Sequence, residues 1–330
     1  KMRVWFLKET KTIDVDCGTG TNITLWTRED KVYRITPRQN DAVNSCWMPD
    51  SHRLNYKYIN AETRIPQPVI RTDAEAPHRP STWEPALASA AEAVKRIAPN
   101  QLAIIASGRM TNEELYMVRH LAAQIGTDMV DIVPRMGESD GMLISADRNP
   151  NTNGARLVLG IEPGSRLDAI REGVRSGSVK GILTLGEDLT SPEAGFTAEE
   201  LDKLDYLFMT AHSANETARH ADLVLPGVTY AEKFGTMINV TGRIQRLNRA
   251  IQPIGYARDD WQIFRDITLL LGGNPALKNF NSALDILTAM STEYGALNGV
   301  SWGSIGDGGQ PILETGVTIP VVEREKNQGR

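Results

Sequence analysis

Gln101-Leu102-Ala103-Ile104-Ile105-Ala106, followed shortly by Thr111-Asn112-Glu113-Glu114-Leu115, is the stretch whose reading decides the fold class. Its first six residues form a short apolar run without alternation, the pattern of a strand covered on both faces. The next segment has the form of a capping box, with Leu115, Val118, Ala122 and Ile125 along one helical face and Gly126 as the stop. Upstream, Trp83, Leu87, Ala90, Val94 and Ile97 recur at helical spacing behind a Ser81-Thr82 cap. Downstream the unit repeats: a helix near 167–174, strands at 179–185 and 206–209, a short helix near 215–220 and a strand at 223–225. Strands that alternate with helices predict an α/β domain, a parallel, doubly wound (Rossmann-like) sheet with helices on both faces.

Towards the N-terminus, Asn22-Ile23-Thr24-Leu25-Trp26 and Lys31-Val32-Tyr33-Arg34-Ile35 alternate in polarity across Arg28-Glu29-Asp30. That pattern predicts a hairpin within a small β-rich unit over residues 1–65. Residues 66–81 (PQPVIRTDAEAPHRPS) have the composition of an exposed linker. The α/β domain is expected over 82–275, and 258–272 and 282–291 are read as closing helices of the chain. A helical extension and tail fill 276–330, loose after Val317.

A chain of 330 residues suits about two domains at roughly 150 residues each. The longest apolar run, around 267–271, is far below the roughly 20 residues of a membrane span, so no direct membrane insertion is expected. Residues 1–11 lack an apolar core followed by a small-residue cleavage site. No secretory signal is therefore read there, the start at Lys1 suggests an excised segment, and the expected address is cytoplasmic. The net charge of −5, with both signs interspersed, offers no basic stripe for a nucleic acid. Cys17 and Cys46 are too few for a disulfide framework and lack the CxxC spacing of a zinc or redox site.

Two segments carry a family resemblance. The first runs Ile13-Asp14-Val15-Asp16-Cys17-Gly18-Thr19-Gly20-Thr21-Asn22-Ile23, then Val32-Tyr33-Arg34-Ile35-Thr36-Pro37-Arg38-Gln39-Asn40 and Val43-Asn44-Ser45-Cys46-Trp47-Met48-Pro49-Asp50. It resembles the N-terminal cluster-binding unit of molybdopterin oxidoreductases, in the form found in the 75 kDa subunit of NADH-quinone oxidoreductase, complex I. The second comprises Glu216-Thr217-Ala218, Ala221-Asp222-Leu223-Val224-Leu225-Pro226, Glu232, Gly235-Thr236, Asn239, Gly242-Arg243 and Ala257-Arg258-Asp259-Asp260-Trp261. It resembles the family's stretch after a late strand of its nucleotide-binding region.

The resemblance implies a 4Fe-4S cluster and a molybdenum bis-guanine-dinucleotide cofactor (Mo-bis-MGD) in cofactor-bearing relatives, and it marks where this chain departs from them. The cluster motif C-x2-C-x3-C, with a fourth cysteine about 28 residues on, needs thiolate at each corner. Here those positions read Asp14, Cys17, Thr21 and Pro49, and Cys46 is three residues out of register. The molybdenum-ligand position falls at Gly137, or is deleted altogether if 104–160 aligns with the later half of the family domain through Asn153-Gly154-Ala155 and Leu159-Gly160. One nucleotide-binding lobe and a C-terminal barrel are also expected to be missing. Hence no cofactor is expected in this segment, no catalytic residue and no metal ligand.

Each remaining motif has a functional reading and a structural one. The turn Gly186-Glu187-Asp188-Leu189-Thr190-Ser191 follows a predicted strand, where doubly wound sheets bind ligands, so Gly186, Asp188 and Ser191 are weak nucleotide candidates. A carboxylate beside a pyrophosphate would repel it, which favours an ordinary loop. Glu216, Glu232 and Arg243 could form an acid/base and anion-binding set, but carboxylates at such places commonly cap backbone N–H groups. His52, His78, His120, His212 and His220 show no HExxH motif and no acidic residue at metal spacing, so surface or capping roles are expected. No GxSxG, GxGxxG or P-loop occurs.

The leading expectation is the non-catalytic scaffold portion of a protein like that complex I subunit, partnered with other subunits of an NADH-quinone oxidoreductase peripheral arm and peripheral to the inner membrane through that complex. The rivals are an autonomous molybdopterin enzyme of the formate dehydrogenase type and a nucleotide-binding module. Trp47, Met48 and Leu54 are the expected centre of an exposed apolar docking patch, or alternatively the filling of a vacated cluster site.

Overall fold

A computed structural model describes residues 3–71 and 76–327. Lys8–Ile13 (β1), Asn22–Arg28 (β2) and Lys31–Pro37 (β3) form an antiparallel sheet in that order. The two residues between β2 and β3, Glu29 and Asp30, have φ of 51° and 53°. Such a pair is the type I′ turn, whose twist matches that of the strands it joins.

The central sheet has seven strands: Val69–Ile70 (β4), Arg79–Pro80 (β5), Leu102–Ala106 (β6), Val130–Ile132 (β7), Gly181–Leu185 (β8), Tyr206–Ala211 (β9) and Leu223–Pro226 (β10). Their spatial order is β5-β4-β10-β9-β8-β6-β7. The last five in that order are parallel, and β4 and β5 are antiparallel. The parallel part is the α/β sheet predicted from 101–115. Within it the direction of winding reverses between β6 and β8, and ligands of such sheets bind at that reversal, beyond the carboxyl ends of the strands.

Alternate residues of each strand serve two separate cores. Leu102, Ile104, Leu183, Leu185 and Phe208 pack with the helices Trp83–Arg96, Asn112–Ile125 and Asp260–Leu270. Ala103, Ile105, Ile182, Leu207 and Met209 pack with Leu167, Ile170 and Val174 of the helix Leu167–Ser176. Burial on both faces explains why these strands read as unbroken apolar runs. The capping box stands as expected: Thr111 Oγ1 accepts from the Glu114 amide, and Gly126 closes the helix at φ 80°. Thr82 is the N-cap of the preceding helix, but without a side-chain hydrogen bond.

Three features depart from the sequence reading. Val69 and Ile70, in the stretch expected to be a linker, extend the sheet edge by pairing with β10; two apolar residues among polar ones give no periodic signal. Gly235–Ile238 (β11), Arg243–Leu247 (β12) and Gln310–Pro311 (β13) form a second antiparallel sheet. Met237 and Leu247 from it share a core with Ile13, Ile23 and Ile35 of the N-terminal unit. Finally, the stretch after Val317 is docked: Ile319, Val321 and Val322 are buried with Val43 and Leu143. Three apolar residues are too few to show periodicity, but they suffice once a receiving surface exists.

Candidate functional site

Between β1 and β2 the chain turns through residues 14–21, closed where the Asp14 N–H donates to the Thr21 carbonyl at 2.8 Å. A Cβ at Gly18 would lie 2.4 Å from Val240 Cγ1, so the absence of a side chain lets this loop press onto the second sheet. The stretch 49–60, which holds the short helices Asp50–Arg53 and Lys57–Asn60, comes back over the same loop.

The four cluster positions do not converge as a donor set for iron and sulfide. Asp14 is 2% exposed and hydrogen-bonds His52 Nδ1 through Oδ2 at 2.6 Å. Cys17 is fully buried, and burial, with the nearby Asp14 charge, pushes its thiol upward, away from the thiolate that iron requires. The Thr21 hydroxyl is buried with no hydrogen-bond partner among the described residues. Pro49 is the residue preceding the helix Asp50–Arg53. Cys46 is exposed. A carboxylate, a lone protonated thiol, a hydroxyl and an imino acid do not fit a four-iron cluster.

In its place stands a set that sequence reasoning missed: donor atoms of Asp14, Asp16 and His52 lie within 4.8 Å of one another. His52, expected at the surface, is buried. Burial draws its pKa down, but the hydrogen bond to Asp14 and the charges of Asp14 and Asp16 outweigh that and leave it raised. Burial, and then the Asp14 charge, raises Asp16 to about 6, while Asn55 Nδ2 donates to it at 2.9 Å. The chemistry is that of a buried carboxylate–imidazole hydrogen bond with a second carboxylate beside it. Asp-x-Asp at 14–16 was the available signal, but nothing local connects it with a histidine 38 residues on.

This group opens on a cleft of about 670 Å³ that also receives Arg109, Arg135 and Arg148. Arg135 pairs with the buried Glu187. Gly137 lies under Arg148, whose Nε would be 2.6 Å from a Cβ there. Of the nucleotide-turn candidates, Gly186 has φ 73°, and Asp188 accepts from Thr190 and Thr217 and so closes its own loop. Ser191 Oγ accepts from the Ala194 amide. These contacts hold the turn closed on itself. Glu216, Glu232 and Arg243 are not brought together. Glu216 pairs with Arg219, Glu232 caps at Thr229 and meets Arg64 at 2.6 Å, and Arg243 donates to the Gly309 carbonyl. Trp47 and Leu54 are exposed, whereas Met48 packs against the N-terminal core.

Comparison with known proteins finds family matches in two segments of the chain. Residues 138–268 match the family described as molybdopterin oxidoreductase. Residues 7–57 match the NADH-ubiquinone oxidoreductase NDSU1/NuoG-like 4Fe-4S domain. The chain is 24% identical to the mitochondrial NADH-ubiquinone oxidoreductase 78 kDa subunit of Candida albicans, over 81% of this chain and 53% of that one. It is 23% identical to a subunit of the NADH-quinone oxidoreductase of Rickettsia felis, over 81% and 56%. A putative formate dehydrogenase of Staphylococcus haemolyticus is 32% identical, but over 41% of this chain and 14% of the relative. The chain thus spans about half the length of the two oxidoreductase subunits it matches. Acetylene hydratase from Pelobacter acetylenicus has a similar fold, with a TM-score of 0.64 at 10% identity over 89% of this chain and 73% of that one.

Proposed function

Because the chain belongs to the molybdopterin oxidoreductase superfamily, close to its complex I homologues, we propose that it is the non-catalytic scaffold portion of a protein like the 78 kDa subunit, in the peripheral arm of an NADH-quinone oxidoreductase. In this reading residues 1–65 are the degenerate cluster-type unit and 82–275 the nucleotide-binding-type domain. Asp14, Cys17, Thr21 and Pro49 are vestiges of the cluster site. The observation that carries the reading is the Asp14–His52 hydrogen bond at 2.6 Å, made by the first of the four cluster positions. Such a buried pair satisfies both side chains without metal, and removing one partner alone would leave the other buried and unsatisfied. Electrons would then pass through centres elsewhere in the complex. An autonomous enzyme of the formate dehydrogenase type needs thiolate corners that this loop lacks. Among the described residues no helix is long and apolar enough to cross a membrane, which agrees with attachment through other subunits.

Two measurements test the proposal. Anaerobic reconstitution followed by iron and sulfide analysis is expected to yield no stoichiometric four-iron cluster, and a full cluster would overturn the scaffold reading. Gentle extraction from the native source is expected to recover the protein with the NADH-oxidising flavoprotein subunit. A free monomer whose deletion leaves quinone reductase activity unchanged would exclude the assignment.

A further inference from the structure

A second, smaller cavity lies where the N-terminal unit meets the carboxyl edge of the central sheet, and three of the polar side chains around it have no hydrogen-bond partner among the described residues. It measures about 70 Å³ and is walled by Tyr58 of the N-terminal unit, Ser107 and Arg109 after β6, His212 after β9, and Tyr230. Among the described residues neither tyrosine hydroxyl has a hydrogen-bond partner, yet neither is among the hydroxyls sealed from all access. Since Tyr230 is only 6% exposed, the opening left to its hydroxyl is the cavity it lines. The Arg109 guanidinium likewise makes no hydrogen bond or ion pair among the described residues. His212 commits Nδ1 to Ser213 Oγ at 2.8 Å and leaves Nε2 uncommitted. Tyr230 is buried and Tyr58 half-buried, and polar groups so placed are usually satisfied, so two phenols that converge on one cavity with the exposed Arg109 at its rim mark a place where a polar group can bind.

Their chemistry gives its class. Phenolic O–H groups and a guanidinium donate hydrogen bonds. Lys233, also at the wall, is paired with Glu114, whereas Arg109 makes no direct ion pair among the described residues and feels the Asp16 carboxylate only at longer range. His212 is held neutral, lowered to about 4 by burial and then by the cations Arg64, Lys233 and Arg109. The carboxyl at the wall, Asp260, is raised to about 7 by burial and then by Glu114, so in mildly acidic solution it does not repel an anion. At roughly 10–15 Å³ for each water-sized group, the space admits a molecule of only a few heavy atoms. Arg109 also lines the larger cleft, which places it at the passage from solvent. The cavity lies beside the strand-order reversal, between Ser107 and Gly186.

We propose that this cavity binds a small oxyanion of carboxylate size, with Arg109 pairing with its charge and Tyr58 and Tyr230 donating to its oxygens. The site goes beyond the scaffold role and does not depend on it: a scaffold without an anion site, or the reverse, would each be visible separately.

Acetate is the probe. The protein, carrying ring-labelled tyrosine, is titrated with sodium acetate against sodium chloride at equal ionic strength. Saturable NMR shifts are expected at Tyr58 and Tyr230, identified by their Phe variants. Arg109→Gln alters an exposed, unpaired side chain, so the fold should persist while affinity falls about tenfold or more, as for a lost charge-assisted hydrogen bond. Tyr230→Phe should weaken binding severalfold with no loss of melting temperature. Phenylacetate, too large for the cavity, should not compete. Shifts that chloride reproduces, an absence of saturable shifts, unchanged affinity in both variants, or effective competition by phenylacetate would each overturn the proposal.

Discussion

Lys233 places its ammonium 2.8 Å from both carboxylate oxygens of Glu114, with side chains 8% and 1% exposed, and Asp260 stands close by. Removing one partner of such a pair leaves a buried uncompensated charge. Lys233→Met is therefore expected to cost about 3–5 kcal/mol in chemical denaturation, and the double variant Lys233→Met/Glu114→Gln should recover much of it. The same network sets a pH dependence. Burial, and then Glu114, raises Asp260 to about 7 from its ordinary 3.8, and burial raises Glu113 to about 7 despite its hydrogen bonds from Thr236. Both acids hold their proton more tightly in the fold than in the unfolded chain. Their contribution is complete below about pH 4 and is lost as pH rises through about 7. His212, lowered to about 4, acts in the opposite sense but only below its unfolded value of 6.5. The melting temperature should thus fall as pH rises from about 4 to about 7, the two acids outweighing His212 below 6.5, and level off above that. Asp260→Asn should flatten that fall, and an unchanged slope would exclude Asp260 as its source.

At the scale of elements, the β2–β3 hairpin holds two residues in left-handed conformation without a glycine. Left-handed backbone costs an ordinary L-residue roughly 1–2 kcal/mol, less for asparagine. Glu29 gains only an exposed ion pair with Arg28, whereas Asp30 also accepts from the Gln252 amide at 3.0 Å and so ties the hairpin to the rest of the molecule. Glu29→Asn is expected to raise stability by about 0.5–1 kcal/mol, measured by urea denaturation. The Asp30→Asn change should give no comparable gain, because it weakens that acceptor.

Across the whole molecule, the C-terminal segment acts as a strap. Val321 N–H donates to the Met142 carbonyl at 3.1 Å, and Ile319, Val321 and Val322 cover Val43 and Leu143. Thr19 Oγ1 donates to the Leu143 carbonyl, so the strap, the loop around 143 and the N-terminal unit form one joint. Val321→Asp places a charge among these apolar contacts and is expected to cost about 2–3 kcal/mol. Limited proteolysis should then cut near 142–143 well before the central sheet. Cleavage at the wild-type rate would mean that the strap contributes nothing to the joint.

The sequence alone determined those features whose signal is local and periodic. The buried strands of 101–225, the capping box at Thr111–Glu114 and the β2–β3 hairpin each follow from residues within one turn or two strands of each other, where backbone sterics and solvent act directly. It also determined that cysteine is missing from three of the four cluster positions, because a ligand's chemistry is legible without coordinates. Only the tertiary structure decided what occupies the vacated place. The pairing of Asp14 with His52, the convergence of Tyr58 and Tyr230 on one cavity, and the docking of 319–322 join residues tens to hundreds of positions apart. Such contacts arise from the closing of loops, whose cost and geometry no local window of sequence carries.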